Sequence, residues 1–133
     1  MSTRPVLLAM VVALGGCRCG DGGPGTAGSA REAMQTLVQC AFNDVPVDAT
    51  ADHVEAAIRR ALHTERERFA GRAGRCEESL TVGEATPPCL ARVRREWATM
   101  LPVAESPTPD PIAVDRAVRH VGDAWTEARA RCP

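Results

Sequence analysis

The side chains in this sequence best suited to chemistry are its six cysteines, Cys17, Cys19, Cys40, Cys76, Cys89 and Cys132. A thiol can be acylated, oxidised to a disulfide or bound to a soft metal, and spacing separates these uses. No two cysteines stand in a Cys-x-x-Cys arrangement, so zinc-finger spacing and a thioredoxin-like redox pair are both missing, as is the Cys-x-x-Cys-His signature of covalently attached haem. The three histidines, His53, His63 and His120, never fall three or four apart. Each lies one residue from a core position, rotated about 100° toward the helix flank. The serines Ser2, Ser29, Ser79 and Ser106 include none in a Gly-x-Ser-x-Gly elbow, and the adjacent acids Glu77 and Glu78 fall in a loop. No catalytic residue, cofactor or metal ligand is therefore assigned, and the cysteines point to covalent attachment and cross-linking.

The first cysteine follows a segment with its own character. Arg4 is followed by an unbroken apolar run from Val6 to Leu14 and then by small residues, the pattern of a secretion signal. The run is about half of the roughly 20 residues needed to span a bilayer as a helix. Leu14-Gly15-Gly16-Cys17 resembles the lipobox of bacterial lipoproteins, in which an apolar residue and two small residues precede the modified cysteine. The resemblance implies that the Cys17 thiol is alkylated by a diacylglyceryl group, that the chain is cut before it, and that Cys17 becomes the acylated N-terminus. It covers about the first 17 residues only. Two or three acyl chains hold a protein on a membrane where one does not. Residue 18 is Arg, where lipoproteins kept at the inner membrane of enteric bacteria carry Asp, so residence at the outer membrane is favoured.

Composition narrows the rest of the chain. It has 133 residues in all, 16 basic side chains that are all arginine, 17 acidic ones and a formal net charge of -1. That balance gives no reason to expect nucleic acid as a partner. Aromatics are 3%, so any core is small and mostly aliphatic. Three segments are expected: a signal peptide over 1–16, the lipidated cysteine with a Gly-rich tether over 17–29, and a helical domain over 30–133. A flexible tether of this length places the domain on the order of 20 Å from the lipid.

Apolar residues then recur at helical spacing in four stretches, and none alternates like a strand. The expectation is an all-α, disulfide-stapled bundle of about four helices over 29–42, 50–70, 87–101 and 111–131. Thr50 reads as an N-cap, Gly71 and Gly74 as the end of the second helix, Thr86 as the cap of the third, and Pro102 as its stop.

With Cys17 lipidated, Cys40, Cys76, Cys89 and Cys132 read as two disulfides in an oxidising envelope, and three pairings are open. The nested pairing, Cys76 with Cys89 and Cys40 with Cys132, is preferred, since its inner bridge would staple one turn for roughly 3 kcal/mol. In a strict up-down bundle the outer pair would be held apart, which leaves that pairing dependent on a tilted first helix. Cys19 is left over, and two readings stay open: a free thiol, which is preferred, or a bridge joining two copies at the membrane surface. Arg66, Arg68, Arg72, Arg75, Arg129 and Arg131 would share the pole from which the tether leaves, and could meet anionic lipid phosphates there.

The functional expectation is a non-enzymatic, membrane-anchored envelope lipoprotein whose domain serves a structural or protein-binding role. The alternative is a carrier for a small ligand or lipid, using a gap around Trp97 and Trp125.

Overall fold

The structure, a computed structural model, describes residues 27–133. The signal segment, the lipobox, Cys17, Cys19 and the tether up to residue 26 lie outside the described residues.

The first helix, α1 (Ala30–Ala41), starts where the sequence places a cap. The Ser29 hydroxyl accepts from the Glu32 amide at 3.2 Å, and the Glu32 carboxylate accepts in return from the Gly28 amide at 2.6 Å. Its buried stripe is Ala33, Met34, Leu37, Val38 and Ala41. Thr50 caps α2 (Ala51–Thr64). Here His53 stands where a capping-box glutamate is usual, its ring Nδ1 accepting from the Thr50 amide at 3.1 Å.

The second expected helix is in fact two. At Glu65 the backbone leaves helical geometry, with φ -149° and ψ 45°, and α3 (Arg66–Cys76) sets off in a new direction. Burial accounts for the break. Val54, Ala57, Ile58 and Ala61 of α2 face the last helix, whereas Phe69, Ala70 and Ala73 of α3 face the helix before it and α1. One straight rod cannot turn both stripes inward. Arg72 holds the corner, its guanidinium donating to both Glu65 carboxylate oxygens at 3.3 and 3.2 Å. Gly71 and Gly74, read as terminators, lie inside α3.

A short 3-10 turn, Glu77–Ser79, and an irregular connection lead to a second, Pro88–Leu90, from which α4 (Ala91–Glu105) continues. Thr86 does not cap it; its hydroxyl accepts from Arg94 at 2.6 Å. Nor does Pro102 stop α4, which runs one further turn through the exposed proline and buries Ala104. A proline this close to a helix end removes a hydrogen bond without breaking the packed face. The last helix, α5 (Pro111–Arg131), begins at Asp110, whose carboxylate accepts from the Ile112 amide at 3.2 Å.

Among the described residues the result is an all-α bundle of five helices. α4 and α5 form the central antiparallel pair, with α2 laid on α5, α3 on α4, and α1 on α3. Three of the four aromatic residues gather at one place. Trp97 meets the rings of Phe42 and Phe69 edge-on at 6.3 and 6.4 Å, and its indole donates to the Ala73 carbonyl at 2.8 Å. Trp125 donates to the Ala49 carbonyl at 2.8 Å and so ties the α1–α2 connection to α5.

Four cysteines form two disulfides, but not in the nested pairing. Cys40 joins Cys76, with Cα atoms 5.7 Å apart, and Cys89 joins Cys132, with Cα atoms 5.5 Å apart. The turn at Glu65 is the reason: it swings α3 alongside α1, so that the two helices end together at Cys40 and Cys76. Cys89, at the entry to α4, is then left opposite the end of α5.

Candidate functional site: the end where the chain enters the domain

The residues expected to carry function are Cys17, the disulfide cysteines and six arginines. Cys17 lies outside the described residues. What the structure does describe is the point at which the chain arrives from it. Ala27 pairs through an isolated parallel bridge with Val82, in the connection between the two 3-10 turns. Val82 also exchanges backbone hydrogen bonds with Ala85 across a tight turn in which Gly83 takes φ +70°.

Two residues beyond its cap, α1 is fastened to the end of α5. Arg31 donates to the Arg129 carbonyl at 2.9 Å and to the Cys132 carbonyl at 3.5 Å. These are two of the carbonyls a helix end leaves without intrahelical partners. Asp48 completes the lock. It is the one non-glycine residue of the described chain with positive φ, at 61°, and its carboxylate accepts from Arg129 at 2.8 Å and from Arg31 at 3.3 Å. Its own amide donates to the Gln35 side chain at 2.9 Å, and Arg129 also reaches the Asp48 and Ala49 carbonyls at 3.1 and 3.0 Å. The sequence shows Asp48 only as one of the acids that suit the start of α2, because a left-handed aspartate has no marker beyond lying in a loop after proline.

The six arginines do not gather at one pole. Arg66 donates to the Pro107 carbonyl at 3.3 Å, beside the start of α5, whereas Arg129 and Arg131 lie at its far end. At 1.5 Å per residue those ends are about 30 Å apart. Most of the six are also engaged within the domain. Arg72 bonds Glu65 and the Ala41 carbonyl and lies over the Phe69 ring, Arg129 is held by Asp48, and Arg131 donates to Glu127 at 2.8 Å. Of the six, only Arg68 and Arg75 are both exposed and without an ion pair to the described residues. A single basic face directed at lipid phosphates is therefore not what the fold assembles.

Of the titratable groups, Glu127 and Glu55 are held away from ordinary carboxylate behaviour. Hydrogen bonds from Arg92 at 2.6 Å and from Arg131 at 2.8 Å pull the Glu127 carboxyl below the usual range. Burial pushes Glu55 above it, although Arg59 counteracts part of that effect. All three histidines are exposed. Among the described residues no group of three or more His, Cys, Asp or Glu side chains is disposed to hold a metal ion.

The space around the tryptophans is filled. Trp97 and Trp125 are both buried, with their N–H groups bonded to backbone carbonyls. Beside Trp125 there is a crevice of only about 20 Å³, edged by Met34, Gln35 and Arg129. That is room for a water molecule, not for a carried ligand.

No described helix is long and apolar enough to cross a membrane. Compared with known proteins, the chain matches no family model, no curated protein and no solved structure.

Proposed function

We propose that the chain is a bacterial envelope lipoprotein, anchored through acylated Cys17 and favouring the outer membrane. Its small helical domain would serve a structural or protein-binding role without catalysis. The observation that carries the reading is the coincidence of the Leu14-Gly15-Gly16-Cys17 pattern with a domain whose four remaining helical-region cysteines are all joined in disulfides. Disulfides of this kind belong to oxidising compartments, which an exported protein reaches and a cytosolic one does not. The Gly-rich stretch between Cys17 and Ala27 is a suitable spacer between lipid and domain.

Two measurements test this reading. Expressed in a bacterial host, the chain should incorporate labelled palmitate and fractionate with membranes, and Cys17→Ser should abolish both. Unlabelled wild-type protein, or membrane attachment unchanged in the serine variant, would overturn the anchor. The partner role is tested by cross-linking in intact envelopes: a protein captured by the wild type and lost on exposed-surface substitution supports it, and a domain that cross-links to nothing removes it.

A further inference from the structure

The corner at Glu65 leaves a hollow of about 270 Å³ between the end of α2, the start of α3, the last turn of α4 and the start of α5. Its floor is aliphatic, made by Leu62, Val103, Pro109 and Val114. The remaining wall residues are nitrogen bases, Arg59, His63 and Arg66, with no carboxylate among them. The neighbouring acids are already engaged: Asp115 accepts from Arg59 at 2.8 Å, and Glu65 is taken by Arg72. Arg66 is thus left half-buried with no ion pair among the described residues. It has a single carbonyl partner, Pro107, at 3.3 Å, and its buried Nε has none. A guanidinium in that position has donors to spare and an apolar surface beside it.

We propose that this hollow binds a small amphiphilic anion, an aliphatic carboxylate with one short alkyl chain, its carboxylate on Arg66 and its chain on the Leu62, Val103 and Val114 floor. The chemistry is set by the walls. Arginine's planar fork suits a carboxylate, and a charge-assisted bond supplies what Arg66 lacks. The volume lies just below the usual range of ligand sites, which suits one short chain and leaves no room for a diacyl lipid. Binding in the hollow is independent of membrane anchoring through Cys17.

The test uses the full chain titrated with sodium octanoate, with 1-octanol and with inorganic phosphate, all below the concentration at which octanoate forms micelles. Octanoate should bind saturably and shift the methyl resonances of Leu62, Val103 and Val114 first, leaving those of Val38 and Val93 in place. Arg66→Gln should weaken octanoate by about tenfold or more while leaving octanol unchanged. Val114→Glu, which brings a carboxylate to the floor, should weaken octanoate in the same direction, with helical circular dichroism confirming that both variants fold. Phosphate alone should bind too weakly to saturate. The proposal is overturned if octanoate moves other methyls, if octanol or phosphate binds as tightly as octanoate, or if Arg66→Gln leaves octanoate affinity unchanged.

Discussion

Asp48 shows how much of the domain's entry point hangs on one side chain. Its left-handed backbone costs most residues roughly 1–2 kcal/mol, and aspartate tolerates it better than most. In return its carboxylate joins Arg31 of α1 to Arg129 of α5. The two ion pairs are solvent-exposed on the Asp48 side and so individually weak. Asp48→Ala combines backbone strain with the loss of both pairs and should lower stability by about 1–2 kcal/mol. Asp48→Gly relieves the strain and should cost less. Urea melts of the two variants give the comparison; if glycine is the more damaging, backbone conformation is not what matters at this site.

Titration at Glu127 and Glu55 acts in opposite senses. Glu127 has a folded-state pKa below its unfolded one, so its contribution is present above the unfolded value and is lost as pH falls through the folded value. Glu55 has a folded-state pKa above its unfolded one, so its ionisation opposes folding, and that opposition is relieved as pH falls toward the unfolded value. Glu127→Gln should flatten the acid limb of the stability profile, and Glu55→Gln should steepen it. Denaturation midpoints measured across the acid range decide; parallel profiles for both variants would show that neither carboxylate is linked to folding.

Among the elements, α2 and α5 approach closely enough that side-chain size matters at Gly122. A Cβ there would overlap the Glu55 carboxylate from α2, and glycine leaves the space that this side chain occupies. Gly122→Ala should therefore forfeit part or all of alanine's helix advantage of about 1 kcal/mol in the native background, where the Glu55 side chain must swing aside. In a Glu55→Ala background the same change should stabilise by up to about 1 kcal/mol, since alanine is the better helix former. A double-mutant cycle reads the coupling directly, and equal effects in the two backgrounds would show that the helices adjust freely. Helix limits were legible where Ser29, Thr50 and Asp110 begin them, each accepting the expected amide, whereas Thr86, which also reads as a cap, caps nothing. They were not legible at Glu65, because His63-Thr64-Glu65-Arg66 contains neither proline nor glycine. The three residues that did look like breakers, Gly71, Gly74 and Pro102, are accommodated inside helices because Phe69, Ala73 and Ala104 gain burial around them.

For the molecule as a whole, the two disulfides close separate stretches with sequence separations of 36 and 43 residues. Loops of that size are each worth roughly 4 kcal/mol in the chain-entropy view, against a total stability of about 5–15 kcal/mol for ordinary domains. Reduction should therefore melt most of the helical signal at physiological temperature, and Cys40→Ala/Cys76→Ala or Cys89→Ala/Cys132→Ala alone should leave a folded but markedly weakened domain. Circular dichroism before and after reduction tests the first point, and peptide mapping without reduction tests the pairing. A reduced chain as stable as the oxidised one would mean that the aliphatic core suffices. By itself the sequence determined the all-α class, three of the helix starts, the involvement of Cys40, Cys76, Cys89 and Cys132 in cross-links, and the lipobox-like stretch before Cys17, because caps, hydrophobic period and short motifs are local. Only the tertiary structure decided which cysteines meet, where the arginines go and where a hollow opens. All three stem from the bend at Glu65, which no local signal specifies and which arises because α2 and α3 bury their stripes against different partners.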